Sequence, residues 1–182
     1  MITVLRNPYD RLLSLYHYWR SVPETFGAII FAKTLSFEDF VDRAHYEPEL
    51  ARHVTNGQTF QIASGVSLDS RAALNGMSDE DILARAISHL DEYACVGVTE
   101  ALDLFFEDLS ATFGLKIEPH RVNVTENRPP ASATTLQMRE KIYPLVKLDL
   151  ALYDYTLRQF VFGRSVSRSV GRSPTLAEGD AH

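Results

Sequence analysis

The sequence predicts an α/β fold in which a small parallel sheet is flanked by helices and helix dominates. Two observations lead there. The convincing strands, Ile2–Leu5 and Ala94–Val98, are short and continuously apolar, and each runs straight into a helix start. Elsewhere the apolar residues recur at helical rather than alternating spacing. With 45% hydrophobic residues in 182, the chain can build one core.

Ile2 to Leu5 is β-branched at three of its four positions and reads as a buried strand. Asn7-Pro8 ends it, since Asn is a good N-cap, Pro suits the first helical position and Asp10 stands at N3. Leu12, Leu15, Tyr16 and Trp19 then continue a helix from about Pro8 to Arg20. Ser36 with Asp39 forms a capping pair for a helix to about Ala44, with Phe37, Phe40 and Val41 on one face. Between residues 46 and 77, Asn56-Gly57-Gln58-Thr59 and Ser64-Gly65-Val66-Ser67 read as loops around a short helical segment. Ser78 caps a helix carrying Ile82, Leu83, Ala86, Ile87 and Leu90. The strand at Ala94–Val98 leads through Thr99-Glu100 into a helix with Leu102, Phe105 and Leu109, closed by Gly114. Residues 115 to 131 are polar and proline-punctuated. A long helical region runs from about Thr134 to Phe162, interrupted near Pro144. Residues 1–162 are therefore expected to form the domain, and the Ser-, Arg- and Gly-rich stretch 163–182, with Arg164, Arg168 and Arg172, a disordered tail. Two strands alone make a weak parallel sheet, so partner strands are expected upstream or from another chain, with self-association through an exposed edge as one consequence.

A net charge of −6 argues against general nucleic-acid binding while leaving room for a local basic pocket. The single cysteine, Cys95, cannot form an internal disulfide, fits a reducing compartment and reads as core. No apolar run is long enough for a transmembrane helix, and Arg6 and Asp10 interrupt any signal-peptide pattern. His and Cys spacing gives no metal site.

The Arg6 to Ser14 junction carries the chemistry. Arg6 ends a strand at the carboxyl edge, where open α/β sheets place ligands. The helix starting at Pro8 should offer free amides and its positive dipole end. Arg6 supplies a planar charged fork, Arg11 adds charge, and the Ser14 hydroxyl can donate to an oxyanion. The alternative is an Arg6 paired with a carboxylate and a Ser14 that merely faces solvent. Tyr16, Tyr18 and Trp19 read as core rather than as a sugar-stacking platform, and Asn123-Val124-Thr125 is a glycosylation sequon that matters only in a secretory compartment.

The segment Arg6-Asn7-Pro8-Tyr9-Asp10-Arg11-Leu12-Leu13-Ser14-Leu15-Tyr16 resembles the 3′-phosphate-binding segment of the sulfotransferases that use 3′-phosphoadenylyl sulfate (PAPS), where Arg-Asp-Pro is followed by Arg and then by Ser eight residues after the first Arg. Asn7 replaces the usual Asp. Val96-Gly97-Val98-Thr99-Glu100, His120 to Pro130, and the helix with Leu148-Asp149-Leu150-Ala151-Leu152-Tyr153 are similar, in order, to later parts of the carbohydrate (heparan sulfate 2-O-type) branch. The resemblance covers residues 1 to about 162. It implies a P-loop-NTPase-like sulfotransferase fold, truncated at its N-terminus, and a nucleotide site in which Arg6 and Ser14 hold the 3′-phosphate and Thr125 and Arg128 also touch the nucleotide. It further implies PAPS as co-substrate without a metal, and direct transfer to a hydroxyl of a carbohydrate-type acceptor. The family's Gly- and Lys/Arg-containing loop for the sulfate side precedes this segment, and neither Asn56–Gly65 nor Ser64–Ser70 supplies it.

The catalytic base is not identified. His17, three residues after Ser14, is the nearest candidate, whereas His53, His89 and His120 have no partner recognisable from spacing. The competing expectation is therefore a non-catalytic protein that binds adenosine 3′,5′-bisphosphate, or a structural remnant. A chain starting at Met1 would be cytoplasmic; one with further upstream residues would be membrane-associated or Golgi-type.

Overall fold

A computed structural model describes residues 1–65, 67, 69–117 and 134–162. The chain is helix-rich around a two-stranded parallel sheet. Strand β1 (Ile2–Leu5) lies beside β2 (Cys95–Val98) in the register Ile2 to Cys95 through Leu5 to Val98. Between them run α1 (Pro8–Ser21), α2 (Ile29–Thr34), α3 (Phe37–Ala44), α4 (Pro48–Val54), α5 (Gly57–Ser64), α6 (Ser70–Ala73) and α7 (Asp79–Asp91). After β2 a short 3₁₀ turn leads into α8 (Leu102–Phe113), and α9 (Leu136–Thr156) continues into a π-helical end at Leu157–Phe162. No helix among the described residues is long and apolar enough to cross a membrane. The tail from 163 lies outside the described residues.

The predicted caps form. Ser36 and Ser78 accept from the amides of Asp39 and Asp81, and Gly114 takes the left-handed conformation that closes α8. β1 departs from the expected buried strand. β2 is buried throughout, but Ile2 is 49% exposed, because β1 has a partner along only one edge among the described residues. Gly97 on β2 lets α8 approach closely: a Cβ built there would lie 2.7 Å from the Phe105 Cβ.

Two apolar clusters stabilise the fold, and α9 joins them. Leu12, Tyr16, Trp19, Phe40, Leu50 and Ile142 pack the first half of α9 against α1, α3 and α4. Leu5, Ile62, Leu90, Val98, Leu148 and Leu152 pack its second half against the sheet, α5 and α7. The interruption expected near Pro144 falls between the clusters, where Val146 leaves helical geometry (φ −126°, ψ 17°). Asn56 enters this kink. It donates its N–H to the Leu145 carbonyl (2.8 Å), and its Oδ1 accepts from the Leu148 amide (2.9 Å).

The sequence-predicted loop at Asn56–Thr59 is a helix start. Asn56 adopts a left-handed conformation (φ 48°) and α5 begins at Gly57. The cap comes from far along the chain. The carboxylate of Asp149, on α9, accepts from the Gln58 amide (3.2 Å), the Thr59 amide (2.7 Å) and the Thr59 hydroxyl (2.7 Å). Asn56 and Asp149 thus satisfy each other's helices.

Candidate functional site: the carboxyl edge of the sheet

β1 ends at Leu5, and Arg6 leaves it at the carboxyl edge with both of its backbone groups held. Its N–H donates to Gln58 Oε1 (2.8 Å), and its carbonyl accepts from Gln58 Nε2 (2.9 Å). This fixes the Cα from which the guanidinium projects. Arg6 Nε donates to the Asp10 carboxylate, one helical turn into α1, and Nη1 donates to Ser14 Oγ at 3.0 Å. The structure therefore brings together Arg6 and Ser14, the two residues expected to share a phosphate. It also realises the carboxylate pairing weighed against that role. The two are compatible. Asp10 anchors the Nε side of the fork, which turns the Nη side toward Ser14, and the Ser14 oxygen accepts from Arg6 while its own hydrogen remains available to donate.

Arg6, Arg11, Ser14, Leu15 and Tyr18 line a cleft of about 220 Å³. Tyr18 was expected in the core but is 56% exposed on the rim of this cleft, whereas Tyr16 and Trp19 are buried. Arg11 reaches across to the start of α5, and a Cβ on Gly57 would lie 2.7 Å from its Nη2. There its charge favours the ionised form of Asp149, against the stronger push of burial, which raises that carboxyl above its ordinary range.

The helix N-terminus differs from expectation. Pro8 has no N–H, and the amides of Tyr9 and Asp10 donate to Asn7 Oδ1 (3.1 and 3.4 Å), while the Arg11 amide donates to the Asn7 carbonyl. Asn7 caps well enough to use the amides that were expected to be free, so recognition of an anion falls to the side chains. Glu100, in the 3₁₀ turn that follows β2, completes the edge. Its Oε1 accepts from the Asn7 amide (3.0 Å) and its Oε2 from the Tyr153 hydroxyl (2.9 Å). Burial, and then this bond to Glu100, push the Tyr153 phenol above its ordinary range.

His17 faces another opening, a cavity of about 340 Å³ shared with Leu13, Tyr16, Phe37 and Met138, so it does not line the Arg6–Ser14 cleft. Two further histidines have structural contacts: His53 meets the edge of Trp19, and His89 Nδ1 bonds the Ile62 carbonyl at 2.8 Å. Cys95 is buried in β2. No group of His, Cys, Asp and Glu among the described residues is arranged to hold a metal. Thr125, Arg128, His120 and the sequon at Asn123 lie outside the described residues. Sequence reasoning missed Gln58, Asp10 and Glu100 as parts of the site. An i,i+4 Arg–Asp spacing was a readable signal for Asp10 alone. Comparison with protein-family models, with curated proteins and with solved structures gave no match.

Proposed function

We propose that the Arg6–Ser14 cleft binds the 3′-phosphate of an adenosine 3′,5′-bisphosphate group, as part of a sulfotransferase-type protein that uses PAPS and a carbohydrate-type hydroxyl acceptor. The observation that carries the reading is the 3.0 Å contact between Arg6 Nη1 and Ser14 Oγ at the mouth of a cleft to which Arg11 adds a second cation. A guanidinium and a hydroxyl converging from a strand end and the second turn of the following helix make a mixed charged and neutral donor set for a tetrahedral oxyanion. The ordered likenesses along residues 1 to 162 support the finer reading, a P-loop-NTPase-like sulfotransferase fold whose nucleotide also meets Thr125 and Arg128. In a turnover reaction the sulfuryl group would pass directly from PAPS to the acceptor oxygen, and donors on the sulfate side would offset the charge that develops. That sulfate-side loop has no counterpart among the described residues. The start of α5, which Arg11 reaches, is already filled by the Asp149 carboxylate. Nucleotide binding is therefore the better-supported half of the proposal, and a non-catalytic nucleotide-binding role is the second reading.

Calorimetric titration with adenosine 3′,5′-bisphosphate, against the 2′,5′ isomer, tests it. The expected result is preference for the 3′,5′ compound, with Arg6→Ala weakening binding by about 1.5–3 kcal/mol, the range for a hydrogen bond to a charged group. Absent binding, equal binding of both isomers or an unaffected Arg6→Ala variant would overturn it.

A further inference from the structure

Strand β1 has a second edge, and its atoms are placed for pairing. Successive residues of a strand direct their N–H and C=O groups alternately to the two sides. The Met1 carbonyl accepts from the Ala94 amide (2.8 Å), on the β2 side. By alternation Thr3 and Leu5 also face β2, and Ile2, Val4 and Arg6 face away. Arg6 confirms the phase, because both of its backbone groups meet the Gln58 side-chain amide on that far side. Gln58 thus supplies one rung of strand pairing from a side chain. The next two rungs, at Ile2 and Val4, have no hydrogen-bond partner among the described residues. They open into a groove of about 400 Å³ between β1 and α5. Arg6 and Arg11 stand at its upper end, Gln58 and Gln61 along its wall, and no carboxylate among the described residues lines it.

We propose that this groove is a docking site for one extended polypeptide strand of a partner protein, paired with Ile2 and Val4 parallel to β1 and bearing an acidic side chain at its carboxyl end. The backbone groups supply the pairing. Arg6 is already paired with Asp10, so Arg11, above a wall with no carboxylate among the described residues, selects an acidic terminus by charge complementarity. Parallel entry continues the direction of the existing sheet. The recess of the edge beside α5 selects the kind of occupant: a second folded copy carries its own α5 beside its own β1, so the two recessed edges obstruct each other, whereas a free extended segment enters.

The test is titration of the full ¹⁵N-labelled chain with the acetylated peptide Thr-Val-Thr-Val-Thr-Glu, followed by amide shifts and hydrogen exchange. Exchange at Ile2 and Val4 should slow by about tenfold or more as their N–H groups gain acceptors, with shift changes confined to β1 and the adjoining turn of α5. A peptide N-methylated at alternate residues should have no such effect, and replacing its Glu by Gln should weaken binding. Val4→Pro should abolish binding while leaving Thr3 and Leu5 paired with β2, since proline is tolerated where the lost N–H faces away from the sheet. If that variant does not fold, the N-methylated peptide on the unaltered chain makes the same decision. Unchanged exchange at millimolar peptide, equal action of the N-methylated peptide, or protection of Ile2 and Val4 that rises with protein concentration alone would overturn the proposal, the last by assigning the edge to a second copy. The exchange readout belongs to Ile2 and Val4, outside the Arg6–Ser14 cleft, so it and the nucleotide titration fail independently; only the Glu-to-Gln comparison shares Arg6 and Arg11 with that cleft.

Discussion

Truncating Asp149 to alanine should unfold the link between α9 and the Arg6–Ser14 cleft. The residue is fully buried, with 0% exposure, and its carboxylate takes three hydrogen bonds, from the Gln58 amide at 3.2 Å and from the Thr59 amide and hydroxyl at 2.7 Å each. Alanine leaves these donors without an acceptor at the start of α5. A buried donor stripped of its partner costs about 1–3 kcal/mol. Three would cost several kcal/mol if none relaxed. Removing the carboxylate also relieves its own desolvation, which dominates its environment and raises its pKa. The net expectation is a loss of about 3 kcal/mol, a large part of the roughly 5–15 kcal/mol typical of a folded domain. For a chain of this size that corresponds to a fall in Tm of about 6–12 °C. Urea unfolding measures it as a lower midpoint at constant slope. Hydrogen exchange gives the local readout. The amides of α5 should lose protection, and so should the Arg6 amide, which is bonded to Gln58. A loss below about 1 kcal/mol, or an α5 that stays protected, would refute the claim that Asp149 is its cap.

The same residue sets a pH dependence. Burial is the first cause holding the Asp149 carboxyl above its ordinary value, opposed by the Thr59 bonds and the Arg11 charge, so the folded state binds this proton more tightly than the unfolded state does. Its contribution to stability is fully present below the unfolded carboxylate pKa and fades as pH rises through the raised folded value. Relative to Asp149→Asn, the unaltered chain should lose stability with rising pH across that window, measured by urea midpoints at several pH values. Asn7→Ala should cost about 0.5–2 kcal/mol by removing the oxygen that takes the Tyr9 and Asp10 amides, read from urea unfolding, with the loss of protection confined to the first turn of α1. Gly97→Ala should destabilise by about 1–3 kcal/mol, because the new methyl would lie 2.7 Å from Phe105 Cβ and α8 must move; thermal unfolding checks it. The Tyr155 phenol, pushed up to about 12 by its hydrogen bond to Asp91 and by burial, should titrate earlier in Asp91→Asn, seen as phenolate absorbance in a difference titration.

What the amino-acid sequence determines here is local. The two strands, the caps at Asn7, Ser36 and Ser78, the left-handed stop at Gly114 and the break near Pro144 are written within a few residues of where they act, because capping and turn geometry depend on near neighbours. The spacing of Arg6 and Ser14 belongs to this class, since a strand end and the first two turns of the following helix fix their separation. The tertiary structure decided the rest. Asn56–Thr59 looks like a loop because Gly57 breaks the pattern and no nearby residue caps the turn. It becomes a helix start through a carboxylate 90 residues away from Thr59 in the chain. The orientation of Arg6 is settled by Gln58, 52 residues on, and the second edge of β1 becomes a groove only because α5 lies beside it. Local spacing could place a guanidinium and a hydroxyl together. Only long-range packing could decide which amides were already bonded, which aromatic ring faced the cleft, and which backbone groups stayed unpaired among the described residues.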